Sequence, residues 1–301
     1  MATESLQPSS VTPSFIKSSA RLRRRQFVSK VFAFVCMAIT MLAFAALIWL
    51  LWGIFKEGFH RLSWEFLNSF PSRRAENAGI KAALYGSVYV LLVTLAFAVP
   101  IGIGAAIFLQ EYSERNKFAK FAQVNIANLA GVPSIVYGIL GLALFVRLMN
   151  LERSVLAGGL TLGVLVMPVI IITAQEALRA VPSSLRDGSY ALGATRWQTI
   201  SRQVLPVAMP GILTGIILSM ARAMGETAPL ILMGALTYVA FVPESLRDSF
   251  TALPIQIFNW TGRPQEAFQE IAAAGIIVLL GVLLSLNAVA IFLRYRFSRN
   301  R

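Results

Sequence analysis

Long apolar runs, rather than alternation, set the hydropathy of this chain. Six of them, at about 31–55, 83–108, 127–146, 156–173, 209–236 and 272–293, are long enough to cross hydrocarbon about 30 Å thick as helices. Barrel strands would instead switch between apolar and polar at every residue over about ten positions. The pattern predicts an all-α integral membrane protein with six transmembrane helices. Polar stretches mark the joints: a Ser-, Thr- and Pro-rich basic arm at 1–26, with little to bury and read as disordered; a first helix and a short external segment at 27–80; a core of five further helices at 81–296, interrupted by a polar loop at 176–206; and a tail at 297–301.

The helices are punctuated. Pro100 lies in the second, Gly131 and Pro133 in the third and Pro168 in the fourth. Irregular backbone at membrane depth is tolerated where it is buried in protein or lines a cavity, although ordinary proline use in membrane helices accounts for any single one. Gly141, Gly158, Gly159, Gly163, Gly211 and Gly215 read as close-packing positions. The fifth run carries Arg222 and Glu226, whose i, i+4 spacing puts both on one helix face. An ionised side chain near the bilayer centre costs about 2.5–3.5 kcal/mol on insertion scales, so it faces a pore, a partner or a substrate. Counted from Pro210, Arg222 falls about 18 Å along the helix, near mid-membrane. Pro229 removes the bond to the Gly225 carbonyl and predicts a kink beside the pair. A guanidinium fork matches oxyanion oxygens, so Arg222 is the candidate substrate contact. The alternative is that Arg222 and Glu226 only neutralise one another. Ser134, Tyr137 and Thr227 are candidate hydroxyl partners, and each also suits plain packing.

Composition agrees with a membrane protein: 56% hydrophobic residues against 14% charged, with mean hydropathy +0.68, where soluble domains carry about a quarter charged. Of the 27 Lys and Arg, 17 fall in the N-terminal arm, the 110–121 and 176–206 loops and the C-terminal tail, nine fall in the other connections, and Arg222 is the last. The positive-inside rule places both termini in the cytoplasm. The +13 net charge is thus topology, not a nucleic-acid patch, with the Arg21–Arg25 cluster suited to anionic lipid. An apolar run after that cluster resembles a secretory leader but is too long for one, so an uncleaved first anchor is expected. Trp64, Phe66, Tyr238 and Trp260 are candidate interfacial anchors in the two external segments, neither of which has the length for a ligand-capturing domain. Cys36 and His60 are the only residues of their kinds, which excludes a disulfide within the chain, a Cys/His metal site and a His-dependent triad. No P-loop pattern occurs, so ATP hydrolysis by that route is excluded as well.

Between the fourth and fifth runs, residues 181–206 read VPSSLRDGSYALGATRWQTISRQVLP. Ser183 or Ser184 is placed to cap a short helix with Leu185, Ser189 and Leu192 on one side. Gly193 ends it, Thr195 caps a second helix through Trp197 and Ile200, and Pro206 closes the unit. By periodicity alone this is equally an amphipathic hairpin resting on lipid headgroups.

The loop resembles that of type I binding-protein-dependent ABC importer permeases, patterned EAA, three residues, Gly, nine residues, Ile, one residue, Leu-Pro. Gly193, Leu205 and Pro206 are in register, and Asp187, Gly188 and Ser189 replace Glu-Ala-Ala, with Gln203 for Ile. Three further strings, GVPSIVYG at 131–138, SYALGAT at 189–195 and RAMGETAPL at 222–230, are similar to the phosphate-specific permease family and to its PstA subunit in particular. The resemblance runs from about residue 80 to 296. It implies a type I permease fold for 81–296, a non-catalytic translocation subunit, and ATPase coupling by Asp187, Gly188, Ser189, Gly193, Ala194, Leu205 and Pro206. It also implies a PstC-like permease partner, a PstB-like ATPase dimer using ATP and Mg2+, a PstS-like periplasmic binding protein and inorganic phosphate as cargo, with no cofactor on this chain. Gly225, Pro229 and Pro133 are then the helix kinks of the pathway. A permease for sulfate or molybdate, which would keep the loop but lose the 225–230 string, and a proton-coupled secondary carrier using Glu226 remain alternatives. A membrane enzyme is the least favoured, since acids sit mostly at the edges.

Overall fold

A computed structural model describes residues 19–113, 117–236 and 238–299. The chain divides into two compact units, Met1–Gly53 and Ile54–Arg301. All of the first unit's described residues belong to α1 (Ser19–Gly58), whose apolar side chains, Phe32, Leu42 and Trp49 among them, stand exposed. That is the surface a helix presents when hydrocarbon, not protein, surrounds it. The arm predicted over 1–26 lies outside the described residues up to 18. From Ser19 onward the chain is helical, so the Arg21–Arg25 cluster sits on α1.

In the second unit the elements run as α2 (Trp64–Asn68), α3 (Lys81–Ile107, continued by a π turn at Phe108–Tyr112), α4 (Lys117–Ala130) and α5 (Ser134–Gly141, continued by a π turn at Leu142–Leu148). Next come α6 (Val155–Arg179), α7 (Ser183–Ala191), α8 (Arg196–Thr199, continued by a π turn at Ile200–Val204) and α9 (Leu205–Gly225). The last are α10 (Ala228–Met233), α11 (Leu253–Thr261) and α12 (Glu266–Arg299). Among the described residues five helices are long and apolar enough to cross a membrane, or six with the bent pair α4–α5 taken as one span.

α6 is the hub, packed chiefly on α3 and α9. Its glycines explain how: a Cβ on Gly159 would fall 2.4 Å from Val93 of α3, one on Gly158 2.5 Å from Phe250, and one on Gly163 2.6 Å from Phe97. Gly141, Gly211 and Gly215 press equally closely on Thr161, Ala177 and Thr173. The close-packing reading of these six holds, and it lets dispersion contacts replace the missing hydrophobic drive between helices in lipid.

Four expectations need correction. The third span is not one helix from 127: it starts at Lys117 and bends by 103° between α4 and α5, where Gly131-Val132-Pro133 closes a turn and Pro133 precedes the new helix in extended conformation. Lys117, Lys120 and Gln123 dilute the hydropathy of α4 and hid its beginning. Trp260 and Phe66 are not interfacial anchors but buried neighbours with ring centroids 6.1 Å apart, because the 238–270 segment folds back and α11 packs against α12 and α3. Trp64 and Tyr238 do stand exposed. Pro182, not Ser183 or Ser184, is the N-cap of α7, and no side chain caps it. Finally, Pro206 does not close the loop unit. It lies inside a helix that runs unbroken from Arg196 to Gly225, directly after the π turn at Ile200–Val204.

Candidate functional site

Arg222 and Glu226 stand where α9 stops. The predicted kink is a full break: α9 ends at Gly225, Glu226 takes an extended conformation (φ −78°, ψ 119°), and α10 begins at Ala228 with Pro229 in its first turn. Proline tolerates that place because the first N–H groups of a helix lack intrahelical partners anyway. Arg222 therefore lies in the last turn of α9, not midway along a continuous helix, and its charge complements the negative end of the helix dipole. Its Nε donates to Glu226 Oε1 across 3.4 Å, longer than the 2.7–2.9 Å of a strong charge-assisted bond. The Arg222 side chain is 47% exposed and Glu226 19%. Among the described residues the terminal guanidinium nitrogens of Arg222 meet no protein acceptor.

The second chain break lies against this one. α5 and α10 pack together, and a Cβ on Gly138 would fall 2.7 Å from Pro229 Cα, so only glycine allows the backbones this close. One residue earlier, Tyr137 is buried in an apolar cluster shared with Met220, Ala223 and Met224 of the last turns of α9. Its hydroxyl donates to the Leu129 carbonyl at 2.8 Å, spanning the α4–α5 bend, and it lies within Coulombic range of Arg222. Ser134 opens α5 and Thr227 is the N-cap of α10. Both are half-buried, and neither hydroxyl makes a hydrogen bond among the described residues. Gly225, Pro229 and Pro133 thus define two helix interruptions brought together around a half-exposed arginine.

The 181–206 segment forms the expected short helix, turn and second helix. Gly193 has φ +79°, the left-handed turn that favours glycine, and Thr195 with Gln198 makes a capping box at the start of α8. Ser189 and Thr199 hydroxyls join α7 to α8 at 2.8 Å. Asp187 and Gly188 are exposed, Ala194, Leu205 and Pro206 half-buried. The apolar side of α7 points away from the chain: Leu192 is 90% exposed, and with Ser184, Leu185, Gly188, Ser189 and Gln198 it lines an open groove of about 540 Å3.

Sequence reasoning missed what fastens this hairpin. Glu111, in the π turn that ends α3, is 7% exposed and pairs with Arg186 of α7, itself 19% exposed. Arg186 Nη2 reaches Glu111 Oε1 at 2.7 Å and Nε reaches Oε2 at 3.3 Å. The same guanidinium donates to the carbonyls of Leu178 and Val181 at 2.9 and 2.8 Å, closing the end of α6. Arg196 of α8 donates to the Glu111 carbonyl and lies over the Tyr112 ring at 4.9 Å. No spacing motif links residues 75 positions apart. The available signal was an acid at the very end of an apolar run, in a loop of two acids and three bases.

A family model for binding-protein-dependent transport system inner membrane components matches residues 98–300. "Phosphate transport system permease protein PstA 1" of Mycobacterium tuberculosis H37Rv is 32% identical over 288 residues, covering 93% of this chain and 91% of the relative. "Phosphate transport system permease protein PstA" of Yersinia pestis is 33% identical over 255 residues, covering 84% and 85%. A bacterial alginate ABC transporter, solved with an alginate pentasaccharide-bound periplasmic protein, contains a chain of the same fold at TM-score 0.65 and 15% identity, covering 94% of this chain and 99% of that one. The hub of close-packed helices, the glycine-turned hairpin and these likenesses agree: the chain is a multi-pass inner-membrane permease subunit that belongs to the binding-protein-dependent transport system inner membrane component family, among its PstA-type permeases.

Proposed function

We propose that the chain is the translocation subunit of an ATP-driven importer of inorganic phosphate and couples closure of a separate ATPase to alternating access. The observation that carries the cargo assignment is the unfilled Arg222 fork, half exposed where two broken helices meet. Charge-assisted bonds from a planar guanidinium suit a tetrahedral oxyanion, and the single loose bond to Glu226 holds the fork without saturating it. The names borne by the relatives point to the same cargo.

In this reading both termini face the cytoplasm, as the basic bias of the 110–121 and 176–206 loops requires. The exposed face of α7 with Gly193 and Ala194 docks on a PstB-like ATPase dimer, which binds ATP and Mg2+, while this chain itself is non-catalytic. Because α8 continues into α9 without a joint, a displacement of the hairpin is carried along one helix to Arg222. ATP then shifts the population between inward- and outward-facing states through its different affinity for each. A PstC-like permease completes the pathway, and a PstS-like protein delivers phosphate from the periplasm.

The test is uptake of labelled orthophosphate by cells that lack their own high-affinity permease and carry this chain with its partners. Wild type should restore uptake, and Arg222→Gln should assemble yet fail to transport. No uptake from an assembled wild-type complex would remove phosphate as cargo.

A further inference from the structure

A buried carboxylate has to be answered by donors, and the donors that answer Glu111 all come from the hairpin. Arg186 binds both of its oxygens, and Arg196 binds its backbone carbonyl and covers the adjacent Tyr112 ring. Arg186 simultaneously holds the carbonyl of Leu178 in the last turn of α6 and that of Val181 just beyond it. One residue of α3 is thereby tied to both helices of the hairpin, and one residue of α7 to the ends of both α3 and α6. Two π turns flank the junction, Phe108–Tyr112 and Ile200–Val204. Each adds a residue to its helix and rotates the residues beyond it by about 100°, which is how a helix end departs from the lipid-facing register of its own span.

We infer that Glu111 and Arg186 form a transmission latch, positioning residues that make α7 and the ends of α3 and α6 move as one body when the hairpin is displaced. The inference rests on the coupling role proposed above. α9 receives the motion through the continuous chain from α8. α3 and α6 have no such covalent path from α7 except the short 180–182 link to α6, so the ion pair is the contact that ties α7 to α3, while Arg196 ties α8 to the same turn. Coupling between distant sites requires an element whose arrangement both sides bias, and a latched hairpin is one. Without it, α7 would move out of step with the ends of α3 and α6, so ATP would be hydrolysed with little cargo carried.

Glu111→Gln keeps the shape and one acceptor oxygen but removes the charge. In proteoliposomes holding the full complex with its binding protein, the expected result is normal assembly and ATP hydrolysis within about twofold of wild type, with phosphate moved per ATP falling at least about tenfold. Spin labels at the exposed Phe108 and Ser183, the latter outside the α7 groove, placed in a Cys36→Ser background, should give one distance that stays fixed when ATP is trapped in wild type and broadens or shifts in Glu111→Gln. An unchanged phosphate-to-ATP ratio in Glu111→Gln overturns the latch, as does a Phe108–Ser183 distance that shifts with ATP in wild type. Transport and hydrolysis falling together with loss of assembly would also overturn it, showing a stability role alone. A Gly193→Val complex that transports normally would instead remove the coupling role of the hairpin, and the label distances would still decide whether the latch exists.

Discussion

Two arginine–glutamate pairs in this chain do opposite things. Arg222 and Glu226 are one turn apart, touch once at 3.4 Å and stand 47% and 19% exposed. Arg186 and Glu111 are 75 residues apart, touch twice, the shorter contact at 2.7 Å, and stand 19% and 7% exposed. A carboxylate removed from water has to recover its solvation from fixed donors, so the second pair is fully bonded and adds two backbone carbonyls to its network. The first leaves most of its donors to whatever fills the adjoining space. Saturation marks a fastener, and incomplete saturation beside a helix break is what the proposed cargo contact requires.

The contrast predicts a reversal between stability and transport. Arg186→Ala leaves Glu111 buried and unanswered, and should cost about 3–5 kcal/mol, read as a lower melting temperature of the purified protein in detergent. Arg222→Gln should leave that melting temperature nearly unchanged, since a half-exposed pair contributes about 0–1 kcal/mol, while orthophosphate uptake falls about a hundredfold, the value of two lost charge-assisted bonds. If Arg222→Gln destabilised the protein as much as Arg186→Ala, the two pairs would be the same kind of device and Arg222 would lose its claim on the substrate.

The contact that brings the two broken helices together sharpens the same contrast. Gly138→Ala sets a Cβ 2.7 Å from Pro229 Cα, a backbone contact that cannot yield without shifting α10. Overpacking of this kind costs about 1–3 kcal/mol, and because α10 holds the far side of the break, uptake should fall about tenfold with assembly intact. Gly104→Ala, at a position with nothing within 4 Å, serves as the control and should transport like wild type. Equal uptake from both would mean that the spacing of α5 and α10 does not matter to the site.

What was legible in the sequence was local. Gly193 and Thr195 announce the end of one helix and the cap of the next because each acts within four residues, and both are present, as a left-handed turn and a capping box. The glycines of α6 announce close packing because a missing side chain has the same meaning whichever helix meets it. The hydropathy runs located the spans but blurred their ends, hiding α4 behind its lysines and reading the break at Glu226 as a kink, since apolarity continues through Ala228–Met233 although the backbone does not. What was illegible depended on partners far along the chain. Glu111 meeting Arg186, and Trp260 buried against Phe66, result from how helices stack, and periodicity reports only which face of a helix is apolar, not what it faces.

The smallest effect is the most specific. If Arg222 supplies attraction to any oxyanion, Glu226 is placed to choose among them, because a hydrogen phosphate keeps a proton it can donate to a carboxylate and sulfate has none at neutral pH. Against sulfate, Glu226 offers only repulsion, and discrimination built on such a mismatch is the kind that binding energy alone achieves well. A hydrogen bond to a charged group is worth about 1.5–3 kcal/mol, the lower end applying where water competes, as it does around a half-exposed pair. Glu226→Gln, which keeps the size of the side chain and can donate to either anion, should therefore raise sulfate competition against phosphate uptake about tenfold while leaving phosphate uptake within a few-fold of wild type. An unchanged sulfate competition curve would reduce Glu226 to a counter-ion for Arg222, and the loose pair would then be a weak version of the tight one rather than its functional opposite.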